Sequence, residues 1–299
     1  MSWFNPETEQ NEKLYPGTDK LSYRSIKELI RTARMLGELE DDCFSDNKRI
    51  LISGETNGWP NIAAFMRLPD PRHYERNHWQ EQPNRIQVWV EKDTLRGLIS
   101  EKCEKWDVTR VISMGTFGRT ILVRCADRIA YHFAAGFKSD SRRLYIFYVG
   151  DFDPTGLAIE EWAQRGNGQY GNRATEGLHE ILIKRHGWTE KQIVERIIFV
   201  RIAVTLEDFR NEALEPYKIS IKDAGKDDEG RDKKGNDPRA ADYKKLYGDK
   251  CLEADALEVL QDGEIASRLD AAIEQAIDMD LWRRSENKQE REIRKWIRK

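Results

Sequence analysis

Residues 144–156 read LYIFYVGDFDPTG, and the change of pattern inside this stretch decides the fold. Six consecutive apolar or aromatic residues, 144–149, are too few for a buried helix. They suit a strand covered on both faces. Gly150 ends the run, and Asp151-Phe152-Asp153 follows at once. Pro154 is favoured in a first helical turn, and an Asp or Thr at that point can cap the free N–H groups. The stretch therefore predicts a strand, an acidic turn and a helix.

The same unit recurs on either side. Upstream, IQVWV (86–90) precedes a helical stretch from Asp93 to Trp106, and VTRVISM (108–114) precedes Gly115-Thr116-Phe117-Gly118 and an amphipathic stretch from Arg119 to Ala135. Downstream, a Gly/Asn-rich loop (166–173) and further helices lead to IIFVRIAV (197–204). Short apolar runs alternating with helices predict an α/β fold, a Rossmann-like parallel sheet with flanking helices.

The flanks read differently. In 21–39, Leu21, Ile26, Leu29, Ile30, Ala33 and Leu36 fall on one helical face, with Ser22 as a cap and Gly37 near the end, as in one helix of a small winged-helix-like segment. Residues 54–84 hold Pro60, Pro69, Pro71 and Pro83 and suggest a linker. KDAGKDDEGRDKKGNDPR (222–239) has almost no apolar side chains and reads as a solvated loop. Beyond it, Ala254, Leu257, Leu260, Ile265, Leu269, Ile273 and Ile277 form a helical stripe. The expected organisation is 1–80 as the winged-helix-like segment and linker, 81–221 as the α/β domain, and 222–299 as the charged loop and helical tail.

Composition narrows the class. Of 299 residues, 39% are hydrophobic and 34% charged, the balance of a polar globular chain. No run approaches the 18 apolar residues of a membrane span, and MSWFNPETEQNEKLYPG lacks the apolar core of a signal peptide. A cytoplasmic protein without a membrane partner is expected. Cys43, Cys103, Cys125 and Cys251 are scattered, without a CxxC pair, which predicts free packing thiols. His73 and His78 have no cysteine neighbours and form no zinc pattern. A net charge of −3 gives no global attraction to nucleic acid, but residues 283–299 carry eight Lys/Arg against three Glu. That tail reads as a solvated helix with i,i+4 pairs or as a DNA-contacting segment.

A lone D-x-D is weak, and Asp278-Met279-Asp280, inside an expected helix, reads as surface charge. Asp151 and Asp153 gain weight from their place at a strand's carboxyl end, where open α/β sheets bind ligands. Glu91 holds the equivalent place after IQVWV. Three converging carboxylates repel one another and either keep protons or take a cation. All-oxygen ligands suit Mg2+ (or Mn2+), which polarises a phosphodiester and stabilises its departing oxygen. Asp153 has a competing role as a helix N-cap. Lys92 and Arg119 are candidates for phosphate contacts at the same edge, or ordinary surface cations.

VEKDTL followed about 60 residues later by YVGDFDPTG resembles the Toprim domain of type IIB topoisomerases, the topoisomerase VI A subunit among them. It is more similar still to small winged-helix/Toprim proteins of phages and mobile elements. Their tail motif has a counterpart in Asp237-Pro238-Arg239-Ala240-Ala241-Asp242-Tyr243 and Leu252-Glu253-Ala254-Asp255-Ala256-Leu257. The resemblance spans roughly 21–280. It implies Glu91, Asp151 and Asp153 as metal-binding acids, DNA as substrate, a homodimer, and an ATPase subunit as partner. It leaves Glu253 and Asp255 without a defined role. The topoisomerases attack phosphorus with a tyrosine in an Arg-x-x-Tyr-Tyr setting, a context that neither Tyr15 nor Tyr23 has. The expectation is therefore a metal-dependent, nuclease- or topoisomerase-like DNA-processing protein. One alternative is a non-catalytic Toprim-fold DNA-binding or assembly subunit. Another is a phosphatase of the haloacid dehalogenase type, with Asp151 as nucleophile, Asp153 as acid/base and Asp227-Asp228 as its downstream acids.

Overall fold

A computed structural model describes residues 2–5, 10–13, 29–40, 50–52, 61–62, 74–134, 142–166, 176–221 and 238–297. The chain divides into two compact units, 1–45 and 46–299. In the first, β1 (Ser2–Asn5) and β2 (Gln10–Lys13) pair antiparallel. A helical stretch over 29–35 closes at Gly37, whose φ of +76° a side chain would disfavour. Leu29 and Leu36, expected on its apolar face, are exposed. Ser22, Leu21 and Ile26 lie outside the described residues.

The second unit is built on five strands in the order β3 (Ile50–Ile52), β5 (Thr109–Ile112), β4 (Asn84–Val90), β6 (Arg143–Val149) and β7 (Ile197–Ala203). The pairs β4/β5, β4/β6 and β6/β7 are parallel, and β3 joins the edge antiparallel. All four expected strands are present. The edge strand β3 was not anticipated, because three apolar residues after Asn47-Lys48-Arg49 carry no measurable period.

Alternation along the strands sorts side chains to two faces. Ile86, Val88 and Val90 of β4, with Phe147 and Val149 of β6, face one core. Trp89, Ile146 and Tyr148 face the other. Helix α1 (Arg96–Lys105) follows β4 and covers the first face through Ile99 and Cys103. Helix α2 (Arg119–Ala134) follows β5 and covers the second, with α3 (Pro154–Arg165), α4 (Leu178–His186) and α5 (Glu190–Arg196) beside it. The sheet is thus wound on both faces. Val88, Trp89 and Val90 are all fully buried, and each such side chain contributes roughly 1.5–3 kcal/mol of transfer free energy.

The chain does not leave the sheet after β7. Beyond α6 (Leu206–Arg210) and the 3-10 turn Glu212–Tyr217, β8 (Ile219–Ser220) pairs with β9 (Lys250–Cys251), which follows α7 (Pro238–Tyr247). Helices α8 (Asp255–Leu260), α9 (Glu264–Ala276) and α10 (Met279–Ile297) complete the first core. Their Leu257, Ile265, Leu269, Ile273 and Trp282 pack with Ile86 and Val88, so the tail beyond residue 237 belongs to the body of the sheet. Asp278 precedes α10 and accepts its Leu281 N–H at 2.9 Å. It is therefore a cap, where a surface charge inside a helix was expected.

Candidate metal and phosphate site

Strand order locates the site. From β4 the chain crosses to β5 on one side and returns to β6 on the other. β4 thus leads away to β5 and β6 to β7 on the opposite side, so the outgoing connections diverge between β4 and β6, at their carboxyl ends, which is where open α/β sheets bind ligands. Val90 and Val149 are paired in register. The next residues, Glu91 and Gly150, therefore lie side by side.

The Glu91 carboxylate turns into the loop after β6. Its Oε2 accepts the Asp151 N–H at 3.2 Å and the Tyr148 hydroxyl at 3.3 Å. The backbone crowds around it. A Cβ on Gly150 would lie 2.6 Å from Oε2, and one on Gly156 would lie 3.0 Å from Oε2 and 2.4 Å from the Asp151 carbonyl. Glycine at both positions is what lets the carboxylate and the loop come together.

Asp151, 3% exposed, uses both oxygens. Oδ1 accepts the Ala254 N–H at 3.0 Å, and Oδ2 pairs with the Lys92 ammonium at 2.5 Å. Lys92 also reaches Glu253 Oε2 at 3.8 Å. Asp153 is the N-cap of α3, with Oδ1 accepting the Gly156 N–H at 2.5 Å. It is both cap and member of the acid group, for its charge and that of Asp151 act on Glu91.

The electrostatics follow from this crowding. Burial, then the charges of Asp151 and Asp153, push Glu91 from its ordinary 4.5 up to about 7, against the Asp151 N–H and Lys92. Burial likewise raises Asp153, against its capping bond to Gly156. For Lys92 burial opposes the charge, but pairing with Asp151 and attraction to Glu253 and Glu91 together outweigh it, so its pKa is raised. Tyr148 is driven well above 10, first by burial and then by Glu91. It serves as a hydrogen-bond donor and is a poor nucleophile.

Three supporting groups escaped the sequence reading. Tyr148 was hidden inside an apolar strand. Arg201 lies on β7, donates to the carbonyls of Gly150, Asp151 and Val204 at 3.1 Å each, and pairs with Glu160 at 2.7 Å. An arginine inside IIFVRIAV is the signal that could have found it, since a charge in a covered strand must be partnered. The third group is the Ala254 backbone, carried in by the returning tail. Leu252 and Phe152 exchange backbone hydrogen bonds at 2.8 and 3.1 Å, and the Tyr243 hydroxyl donates to the Phe152 carbonyl at 3.0 Å.

Of the expected site residues, Glu91, Lys92 and Asp151 meet directly, and Asp153 lies two residues on in the same loop. Arg119 is engaged elsewhere. It opens α2 and forms an ion pair with Glu176, which also pairs with Lys184 at 2.7 Å. That pair ties the start of α2 to the segment just ahead of α4. Asp227, Asp228, His73, Cys43, Tyr15 and Tyr23 lie outside the described residues. His78 packs on Trp282, with ring centroids 5.0 Å apart, and Cys103, Cys125 and Cys251 are buried free thiols.

The donor set fits a hard divalent ion. It offers carboxylate oxygens only, it keeps a proton near neutrality that such an ion would displace, and an ammonium already stands against Asp151. Among the described residues no three His, Cys, Asp or Glu side chains form a ready-made metal cage. Mg2+ needs only one or two carboxylates, since water and phosphate oxygens complete its shell. Among the described residues no helix is long and apolar enough to cross a membrane. Compared with known proteins, the chain matches no family model and no curated protein.

Proposed function

We propose that the crevice between β4 and β6 is a Toprim-type site that binds Mg2+ or Mn2+ and acts on the phosphodiester backbone of DNA. The observation that carries this reading is the meeting of Glu91 with the Asp151–Asp153 loop at the switch point of the sheet, with Lys92 in the same crevice. Asp151 and Glu91, with Asp153 beside them, would hold the ion. When bound, it would supply Lewis-acid stabilisation of charge on phosphate and leaving oxygens.

The side chains divide the remaining work. Arg201 and the Ala254 N–H hold the Asp151 loop in place. Tyr148 orients Glu91. Lys92, 33% exposed, has one side open to solvent, from which it can meet a phosphate oxygen once Asp151 turns to an ion. The nucleophile on this reading is water or a group brought by a partner, because Tyr148 is buried with its proton held. The homodimer and the ATPase partner implied by the Toprim resemblance belong to the same proposal.

The test is relaxation or cleavage of supercoiled plasmid with Mg2+ or Mn2+, comparing wild type with Glu91→Ala. Metal-dependent nicking, linearisation or relaxation lost in the variant is the expected result. Equal behaviour of the two proteins across metals would end the enzymatic reading. One observation favours a non-catalytic alternative: Lys92 already neutralises Asp151. A binding subunit would give salt-sensitive DNA affinity without cleavage.

A further inference from the structure

The tail helix α10 carries two different faces. Trp282, Ser285, Gln289 and Glu292 point inward. Trp282 packs edge-on against Trp79 and Trp106, with centroids 5.5 and 5.1 Å apart. Ser285 meets His78 Nδ1 at 2.9 Å, Gln289 accepts the Arg76 N–H at 2.7 Å, and Glu292 accepts the Tyr74 hydroxyl at 2.5 Å. This anchoring fixes which face meets water.

Arg284, Lys288, Arg291 and Lys295 are all exposed. They are spaced four, three and four residues apart, the repeat of a single helical stripe. At 1.5 Å per residue the stripe runs about 16 Å. Among the described residues none of the four has a carboxylate partner. Among the described residues the ion pair within α10 joins Arg294 to Glu290, four residues apart, on the flank beside the stripe. Arg284 Nε donates only to the Asp280 carbonyl. The tail thus keeps an i,i+4 pair of the solvated-helix reading on its flank, while the four charges of the stripe face solvent without a carboxylate partner among the described residues, in a chain of net charge −3.

We infer that this stripe is a docking surface for the phosphodiester backbone of a nucleic acid, separate from the acid crevice. Phosphate charges recur every few ångströms along such a backbone, so a 16 Å row of cations meets several at once. An acidic membrane is the other polyanion of this shape. A membrane-surface helix, however, inserts an apolar face, and the apolar face of α10 is closed against Trp79 and Trp106. The stripe also lies away from the acids. Asp278, just ahead of α10, exchanges hydrogen bonds with Gln82 before β4, at the opposite end of the strand from Glu91. The inference therefore does not depend on the metal reading.

The test is fluorescence anisotropy of the full chain with a labelled duplex in EDTA, across a salt series. The comparison is wild type, the quadruple variant Arg284→Gln/Lys288→Gln/Arg291→Gln/Lys295→Gln, and a control with Lys191→Gln/Lys245→Gln on other exposed helices. Counterion release predicts a plot of log affinity against log salt with a slope shallower by about 3–4 in the quadruple variant. The control is expected to match wild type, which ties the effect to this stripe rather than to exposed cations in general, and EDTA keeps any metal-dependent contact at the crevice out of the readout. Circular dichroism checks that the variants fold, and Arg284→Lys/Arg291→Lys, which keeps all four charges, should bind with the wild-type salt slope. An unchanged slope in the quadruple variant would overturn the inference. So would binding to phosphatidylserine vesicles without DNA binding, or no duplex binding by wild type at low salt.

Discussion

Replacing Glu91 by glutamine should stabilise the metal-free protein in alkaline buffer and leave it nearly unchanged in acid. The structure supplies the magnitude. Glu91 is buried, and its carboxyl titrates near 7 in the folded chain against 4.5 ordinarily. At 1.36 kcal/mol per pH unit, the folded state loses about 3 kcal/mol as pH rises from below 4.5 to above 7. The sign follows from proton counting. In that window the folded protein binds more protons than the unfolded chain, so stability falls as pH rises. Asp153, also raised, adds a loss of the same sign. Lys92, raised above 10.5, stabilises the fold at every pH below that value and contributes no slope here. Glutamine keeps an oxygen for the Asp151 N–H and the Tyr148 hydroxyl but cannot ionise. Urea denaturation in EDTA at pH 5 and pH 8.5, wild type against Glu91→Gln, reads the difference. The variant should gain on wild type by up to about 3 kcal/mol at the higher pH. Parallel pH profiles for the two proteins would show that Glu91 is neither buried nor held among other charges, and the crowded acid site would have to be abandoned.

Other outcomes follow from the same contacts. Lys92→Met leaves the Asp151 carboxylate without its ammonium. In EDTA it should cost about 1–3 kcal/mol, while Mn2+ binding measured by calorimetry should tighten because no resident cation competes. Unchanged stability with unchanged affinity would show that Lys92 does not occupy the site. Gly156→Ala would drive a Cβ into the Asp151 carbonyl and should destabilise by about 1–3 kcal/mol. Gly97→Ala on α1 meets nothing within 4 Å and should stabilise by up to about 1 kcal/mol. Thermal melts giving the opposite order would refute the close packing at the loop.

Much of the sheet was legible in local pattern because burial on both faces leaves a local mark. LYIFYV is a continuous apolar run for that reason and IQVWV is broken only by Gln87, and Pro154 after Asp153 announces the helix that Asp153 caps. The placement of Glu91, Asp151 and Asp153 at strand ends was equally readable, since Glu91 directly follows its run and Asp151-Phe152-Asp153 comes one glycine after its own. β3 was not readable, being three residues fixed by pairing to β5 and by Leu51 packing on the second core. Arg119 shows the converse. Its position after a glycine turn suggested the acid edge, but its side chain is taken by Glu176, a partner 57 residues away in sequence.

Sequence alone determined that this chain builds strands ending in acids, because the hydrophobic period and the turn residues act over a few neighbours. Only the tertiary structure decided which strands lie side by side and what else reaches their ends. The order that puts β4 against β6, Arg201 beneath the Asp151 loop, and Ala254 donating to Asp151 all depend on contacts 50 to 103 residues apart. Such contacts form only where their burial outweighs the entropy of closing long loops, and that balance is struck across the whole core.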